Sequence, residues 1–373
     1  MAEPAIGTLL PNLLRNLPGL PAERGLLEAR HGEDGVLAWS LFRLNWLVLT
    51  VLLAVFDLSL MLTDFRVQPL GYLLALGIAA LYGVSGYLNA QSAHRAHPRL
   101  FSLLIGLAQA ILGMSILTSL TYVATAANLP LQDANLLAID RTLGFDFRQY
   151  LQFANSHEWF IVILAFGYRS IFWQVFLIVI GLPLAGYCRK TAEFILALML
   201  ALVLTCCITT IVPAIGVYHA LGLLPSDYPN IVPDCYYDTA REMPLIRDGT
   251  LRLLDLSRLV GVITFPSFHA ASAILYAWAL WPWRWFRPFN ITINGTMLIA
   301  TPIGGGHFLV DVLAGIIVAI LAICLARIAA STLSFRTKSC EPSEVSPGTA
   351  RSLEEPRGSA WVQRATIGVA GSG

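Results

Sequence analysis

The sequence predicts an all-α membrane protein, a polytopic bundle of about eight transmembrane helices, and three observations predict it. Of 373 residues, 56% are hydrophobic and only 13% are charged, about half the charged share of an ordinary soluble domain. Mean hydropathy is +0.67. Apolar runs long enough to cross a hydrocarbon layer about 30 Å thick recur along the chain. The formal net charge is +1, and no basic run carries interleaved aromatics, so nucleic acid is not an expected partner. The six cysteines form no C-x-x-C pair and no zinc spacing, and suggest no disulfide framework.

In chain order, residues 1–36 are a polar segment with prolines at Pro18 and Pro21. They lack a signal-peptide pattern, so the first membrane helix is expected to act as the targeting signal. The predicted spans follow at 41–62, 70–90, 101–126, 159–187, 192–217, 267–283, 291–303 and 308–329. Residues 37–127 thus form a three-helix N-terminal membrane segment and residues 128–330 a five-span core. Residues 331–373, rich in Ser, Pro, Glu and Arg, are expected to be a disordered cytoplasmic tail. Two connections are long. One contains "AIDRTLGFDFRQYLQFANSH", a surface helix with Leu143, Phe145, Phe147, Tyr150 and Phe153 available to lipid. The other contains "DTAREMPLIRDGTLRLLDLSRLVG", a second polar–apolar helical stretch. Both are expected to lie as lids on one membrane face.

Orientation follows from Lys and Arg in short loops. With a cytoplasmic N-terminus, Arg95 and Arg99, Arg189 and Lys190, Arg284 and Arg287, and Arg336 and Lys338 all fall inside. Both termini are then cytoplasmic. The sixth and eighth spans enter from outside, and His269 and His307, at their starts, share the outer face. In a bacterium the membrane would be the inner one.

Those histidines carry the chemistry. In "TPIGGGHFLVDVLAGII" (residues 301–317), Asp311 follows His307 by one helical turn, so the two share a helix face. A carboxylate there can accept the proton on one imidazole nitrogen and hold the other forward as a nucleophile or base. Gly305 and Gly306 can present backbone N–H groups to an anion. In "PSFH" (residues 266–269), Ser267 adds a hydroxyl and His269 a second imidazole at a helix start, where anions are favoured. Each feature alone has a plainer explanation: an interfacial histidine bonded to backbone, a chance H-x-x-x-D, a packing turn of glycines. Together, on one face, they suit phosphoryl transfer. Two histidines and one carboxylate also permit a metal triad, but no further carboxylate sits at ligand spacing, and neither metal nor cofactor is expected. The phosphate needs a cation, and the candidates are Arg247, Arg169, Arg241 and Arg258. Arg247 is favoured, because "LIRDG" can fold back over the Pro266 helix start.

These residues resemble the type-2 phosphatidic acid phosphatase superfamily, whose motifs are K-x6-R-P, P-S-G-H and S-R-x5-H-x3-D. Phe268 stands where the second motif has glycine, and Ala300 and Thr301 stand where the third has serine and arginine. No K-x6-R-P occurs. The pattern is most similar to the branch containing inositol phosphorylceramide synthase. The resemblance implies a metal-independent, ping-pong reaction on a lipid phosphate at the outer face. In it His307 attacks phosphorus, Asp311 orients it and His269 protonates the leaving alcohol, while Ser267, Gly305, Gly306 and an arginine hold the phosphate oxygens. Water gives a phosphatase and a second alcohol a transferase. A non-enzymatic lipid-phosphate binder or transporter is the competing class, disfavoured because no inverted repeat is visible.

Overall fold

The computed structural model describes residues 21–92 and 97–339. Residues 1–20 of the polar N-terminal segment and residues 340–373 of the tail lie outside the described residues. The described chain is almost wholly helical: α1 (Pro21–Leu62), α2 (Pro69–Gln91), α3 (Pro98–Ala126), α4 (Asp133–Thr142), α5 (Phe147–Asn155), α6 (Glu158–Leu184), α7 (Cys188–Ile211), α8 (Val217–Leu221), α9 (Asp234–Arg247), α10 (Phe268–Ala279), α11 (Arg287–Gly305) and α12 (Leu309–Ser339).

Among the described residues, six helices are long and apolar enough to cross a membrane: Gly35–Leu62 within α1, then α2, α3, α6, α7, and Leu309–Ser334 within α12. The expected sixth and seventh spans, α10 and α11, fall short, and the reason is physical. Helix α10 has only 12 residues and is enclosed by α6, α7, α11 and α12. Its small buried residues Ala270, Ala271, Ser272 and Ala273 let the neighbouring helices come close. In α11 the polar groups turn into the bundle. Asn294 donates to Gln174 of α6 at 3.1 Å, and Asn290 donates to the Ala277 carbonyl of α10 at 2.9 Å. A similar clamp joins α1, α3 and α7. Asn45 donates to Gln109 and to the Ala192 carbonyl, and Gln109 donates to the Phe42 carbonyl. Such buried bonds between helices contribute on average about 0.6 kcal/mol each.

The long connections gather at one end of the bundle. The single surface helix expected in the first is two helices, α4 and α5, separated at Leu143–Asp146. Phe147 does not face lipid, however: it is buried edge-on against Tyr218. Only the first half of the second stretch is helical. Its later part includes strand β2 (Leu253–Leu254), which pairs in parallel with β1 (Arg66–Val67), Arg66 opposite Leu253. The α1–α2 connection is thereby tied to the same end, where Gln132 N–H also reaches the Pro213 carbonyl at 2.8 Å.

Candidate active site

Two helix starts build the site. The Ser267 hydroxyl accepts from Ala270 N–H at 3.3 Å and caps α10, the ordinary use of serine before a helix. This places His269 in the first turn. At the start of α12, Asp311 Oδ2 accepts from Phe308 N–H at 2.9 Å and lies 3.3 Å from Nδ1 of His307. Asp311 is fully buried and His307 is 3% exposed. The two starts are joined directly, since Ser267 N–H donates to the Asp311 carbonyl at 3.0 Å. Gly315 permits this approach: a Cβ there would collide with the Ser267 carbonyl.

With Nδ1 turned to the carboxylate, Nε2 of His307 is the nitrogen left to act. A methyl group on Gly305 would lie 2.6 Å from that Nε2 and 2.7 Å from the Tyr168 hydroxyl, so all three groups border one point. The other face of the arrangement is His269, whose ring stacks on Tyr168 with centroids 3.9 Å apart and planes at 11°. The structure therefore brings together His307, Asp311, His269, Ser267, Gly305 and Gly306. Nε2 of His269 and Oδ1 of Asp311 are both buried without a hydrogen-bond partner. Leaving such atoms unpaired costs about 1–3 kcal/mol each, which a polar ligand would recover.

The glycines of this run make room for aromatic groups around the histidines. Gly304 lies under the Tyr168 ring and Gly305 under the His307 imidazole, while Gly306, at φ +67°, ends α11 beneath Tyr236. The Gly306 carbonyl accepts from Val217 N–H at 2.7 Å. Larger residues at these positions would displace the aromatic groups around the histidines.

Neither expected arginine touches the histidines. Arg169 follows Tyr168 on α6, and consecutive helix residues point about 100° apart. Tyr168 faces inward while Arg169 faces out, pairing with Asp234 at 3.0 Å with 69% of its side chain exposed. Arg169 does line a mostly apolar pocket of about 190 Å³ that ends on Tyr168 and Gly304. Arg247 closes α9 and donates to the Leu129 carbonyl at 2.8 Å. It lies 11 residues beyond the Tyr236 that covers Gly306, or about 16 Å along the helix. Arg241 pairs with Asp238 and Glu242, and Arg258 with Asp255.

The sequence reading missed three residues. Tyr168 was passed over for its charged neighbour. The others are Asp133 and Asp140, two turns apart on the buried face of α4 with Leu136 between them. Acids at core positions of an amphipathic helix were the available signal. Asp133 accepts from Ile215 and Gly216 N–H. Asp140 accepts from Leu309 N–H at 2.7 Å and Val310 N–H at 2.9 Å. It thus caps α12 from outside, and burial holds its carboxyl above the usual range. Asp140→Ala is expected to destabilise the fold by about 1–3 kcal/mol and to lower activity by misplacing His307. Thermal unfolding and rate, measured beside exposed Arg141→Ala as control, check this.

The fold and the site define a class, a helical membrane bundle that buries a carboxylate-bound histidine beside a second imidazole. Comparison of the sequence narrows the class. The model of the PAP2 superfamily matches residues 134–325, just over half of the chain, and the chain belongs to that superfamily. No curated protein and no solved structure matches it. Membership points to phosphatase or phosphotransferase chemistry. Among the described residues, no group of three or more His, Cys, Asp or Glu side chains is arranged to hold a metal ion.

Proposed function

We propose that the protein is a lipid phosphatase or phosphotransferase embedded in the membrane, working at the outer face through a phosphohistidine on His307. The observation that carries this reading is the buried His307–Asp311 pair, with Nε2 facing the space beside His269. In this reading Nε2 attacks phosphorus, Asp311 holds the ring and stabilises its positive charge, and His269 protonates the leaving oxygen. Ser267 and the Gly305–Gly306 turn border the phosphate. Arg169, at the pocket that ends on Tyr168, is better placed than Arg247 to meet it. The apolar lining of that pocket, including Leu164, Phe172 and Ile303, suits one lipid chain.

A second reading is a head-group transferase that makes a phosphosphingolipid or a modified phospholipid, as in the inositol phosphorylceramide synthase branch. The seclusion of His307 supports it, because limited water access favours an alcohol acceptor. Purified protein offered a panel of lipid phosphates, with and without added lipid alcohols, tests both. Phosphate release is expected for a phosphatase; a transferase moves the phosphoryl group of a lipid phosphate to the alcohol as a new phosphomonoester or, with a phosphodiester phospholipid added to the panel as donor, exchanges that lipid's alcohol to give a new phosphodiester. Binding without turnover across the panel would leave the non-enzymatic binder.

A further inference from the structure

The end of the bundle opposite the histidines holds a cavity of about 940 Å³. Its walls come from separate elements: Arg99 at the start of α3, Arg189 and Lys190 at the start of α7, Trp278 and Trp281 at the end of α10, and Arg327 on α12. Four cationic side chains line it, and among the described residues its only carboxylate is Glu193, which is engaged by Arg189 at 2.8 Å. Glu193, Arg327 and Arg189 are all close enough for their charges to act on Lys190. The ammonium of Lys190 sits 3.1 Å over the Trp278 ring, a contact that fixes a cation without neutralising it.

Like charges held together in a partly enclosed space repel one another unless an anion joins them. The positive-inside rule accounts for basic residues at this end, but not for their convergence on one concavity from three helices. Tryptophans at the rim are typical of headgroup depth, and basic pockets between membrane helices hold anionic headgroups. We infer that this cavity is a second anion site, separate from the His307 centre, that takes the phosphate-bearing headgroup of an anionic lipid between Lys190 and Arg327. The inference is independent of the reaction proposed for His307.

The test uses the full chain, purified and stripped of lipid. Binding is measured for dioctanoyl phosphatidylglycerol, for inorganic pyrophosphate and for dioctanoyl phosphatidylcholine as the zwitterionic control. The double variant Lys190→Ala/Arg327→Ala is expected to bind the anionic lipid at least about tenfold more weakly and phosphatidylcholine unchanged. The charge-conserving Lys190→Arg/Arg327→Lys should stay within about threefold of wild type, which separates lost charge from lost folding. Because both proteins keep the histidine centre intact, any anion bound there cancels in the comparison. Pyrophosphate binding as tightly as the lipid, and lost in the same double variant, would keep the anion site but assign it to a soluble diphosphate. An alanine double variant that binds both anions as well as wild type would overturn the proposal.

Discussion

Replacing His307 with alanine is expected to abolish turnover and every trace of phosphorylated protein, because among the described site residues it is the imidazole whose second nitrogen is oriented by a carboxylate. The Asp311→Asn variant discriminates more finely. Asp311 Oδ2 alone serves both His307 Nδ1 and Phe308 N–H, while Oδ1 is unpartnered. An asparagine can place its single oxygen at the Oδ2 position and keep both bonds, so the fold and the ring orientation should survive. What disappears is the negative charge beside an imidazole that turns cationic when Nε2 bonds to phosphorus. The expected loss is about 10²–10⁴ in rate, with unfolding temperature little changed. A phosphohistidine trap, run with wild type and both variants, checks the scheme. Label in His307→Ala would remove His307 as the nucleophile, and wild-type rates in Asp311→Asn would remove the role of the Asp311 charge.

How much of this was legible from residues alone depends on where the information sits. The six spans α1, α2, α3, α6, α7 and α12 declare themselves because their lipid-facing sides must be apolar. Helices α10 and α11 do so weakly, since they meet protein on most sides, so α10 can be short and α11 can turn Asn290 and Asn294 to partners inside the bundle. The His307–Asp311 pair was readable because it is local: one turn of helix fixes it. Ser267 and His269 were readable as site residues for the same reason, although the serine proves to be a cap. The position of Arg247 was not readable because loop folding is not encoded by periodicity. The path from α9 to the Pro266 turn depends on the β1–β2 pairing of segments that lie far apart in sequence. Tyr168 and Asp140 were invisible for a related reason. Each acts on a helix start more than 100 residues away, and only tertiary packing brings Tyr168 onto His269 or Asp140 onto Leu309. The acid in the core stripe of α4 was nonetheless a local conflict, and such conflicts mark groups with distant partners.

The second large effect is a selective one. If His269 only delivers a proton to the departing oxygen, its loss should matter in proportion to how badly that oxygen needs the proton. A lipid alkoxide is a poor leaving group, and His269→Gln should slow its departure by about 10²–10⁴. A nitrophenyl phosphate releases its nitrophenolate as a stable anion when the phosphoryl group passes to His307, and the same variant should process it within about tenfold of wild type. Glutamine is preferred to alanine here because the ring of His269 stacks on Tyr168; an empty space would let Tyr168 move and disturb His307 through their shared border at Gly305. Tyr168→Phe serves as the companion: it keeps the stack and removes only the hydroxyl, so it should slow both substrates alike if that hydroxyl holds a phosphate oxygen. Label should still form on His307 in the glutamine variant with the aryl substrate. Equal losses on the two substrates would show that His269 binds the phosphate rather than protonating the leaving group, and label appearing on His269 itself would exchange the roles of the two histidines.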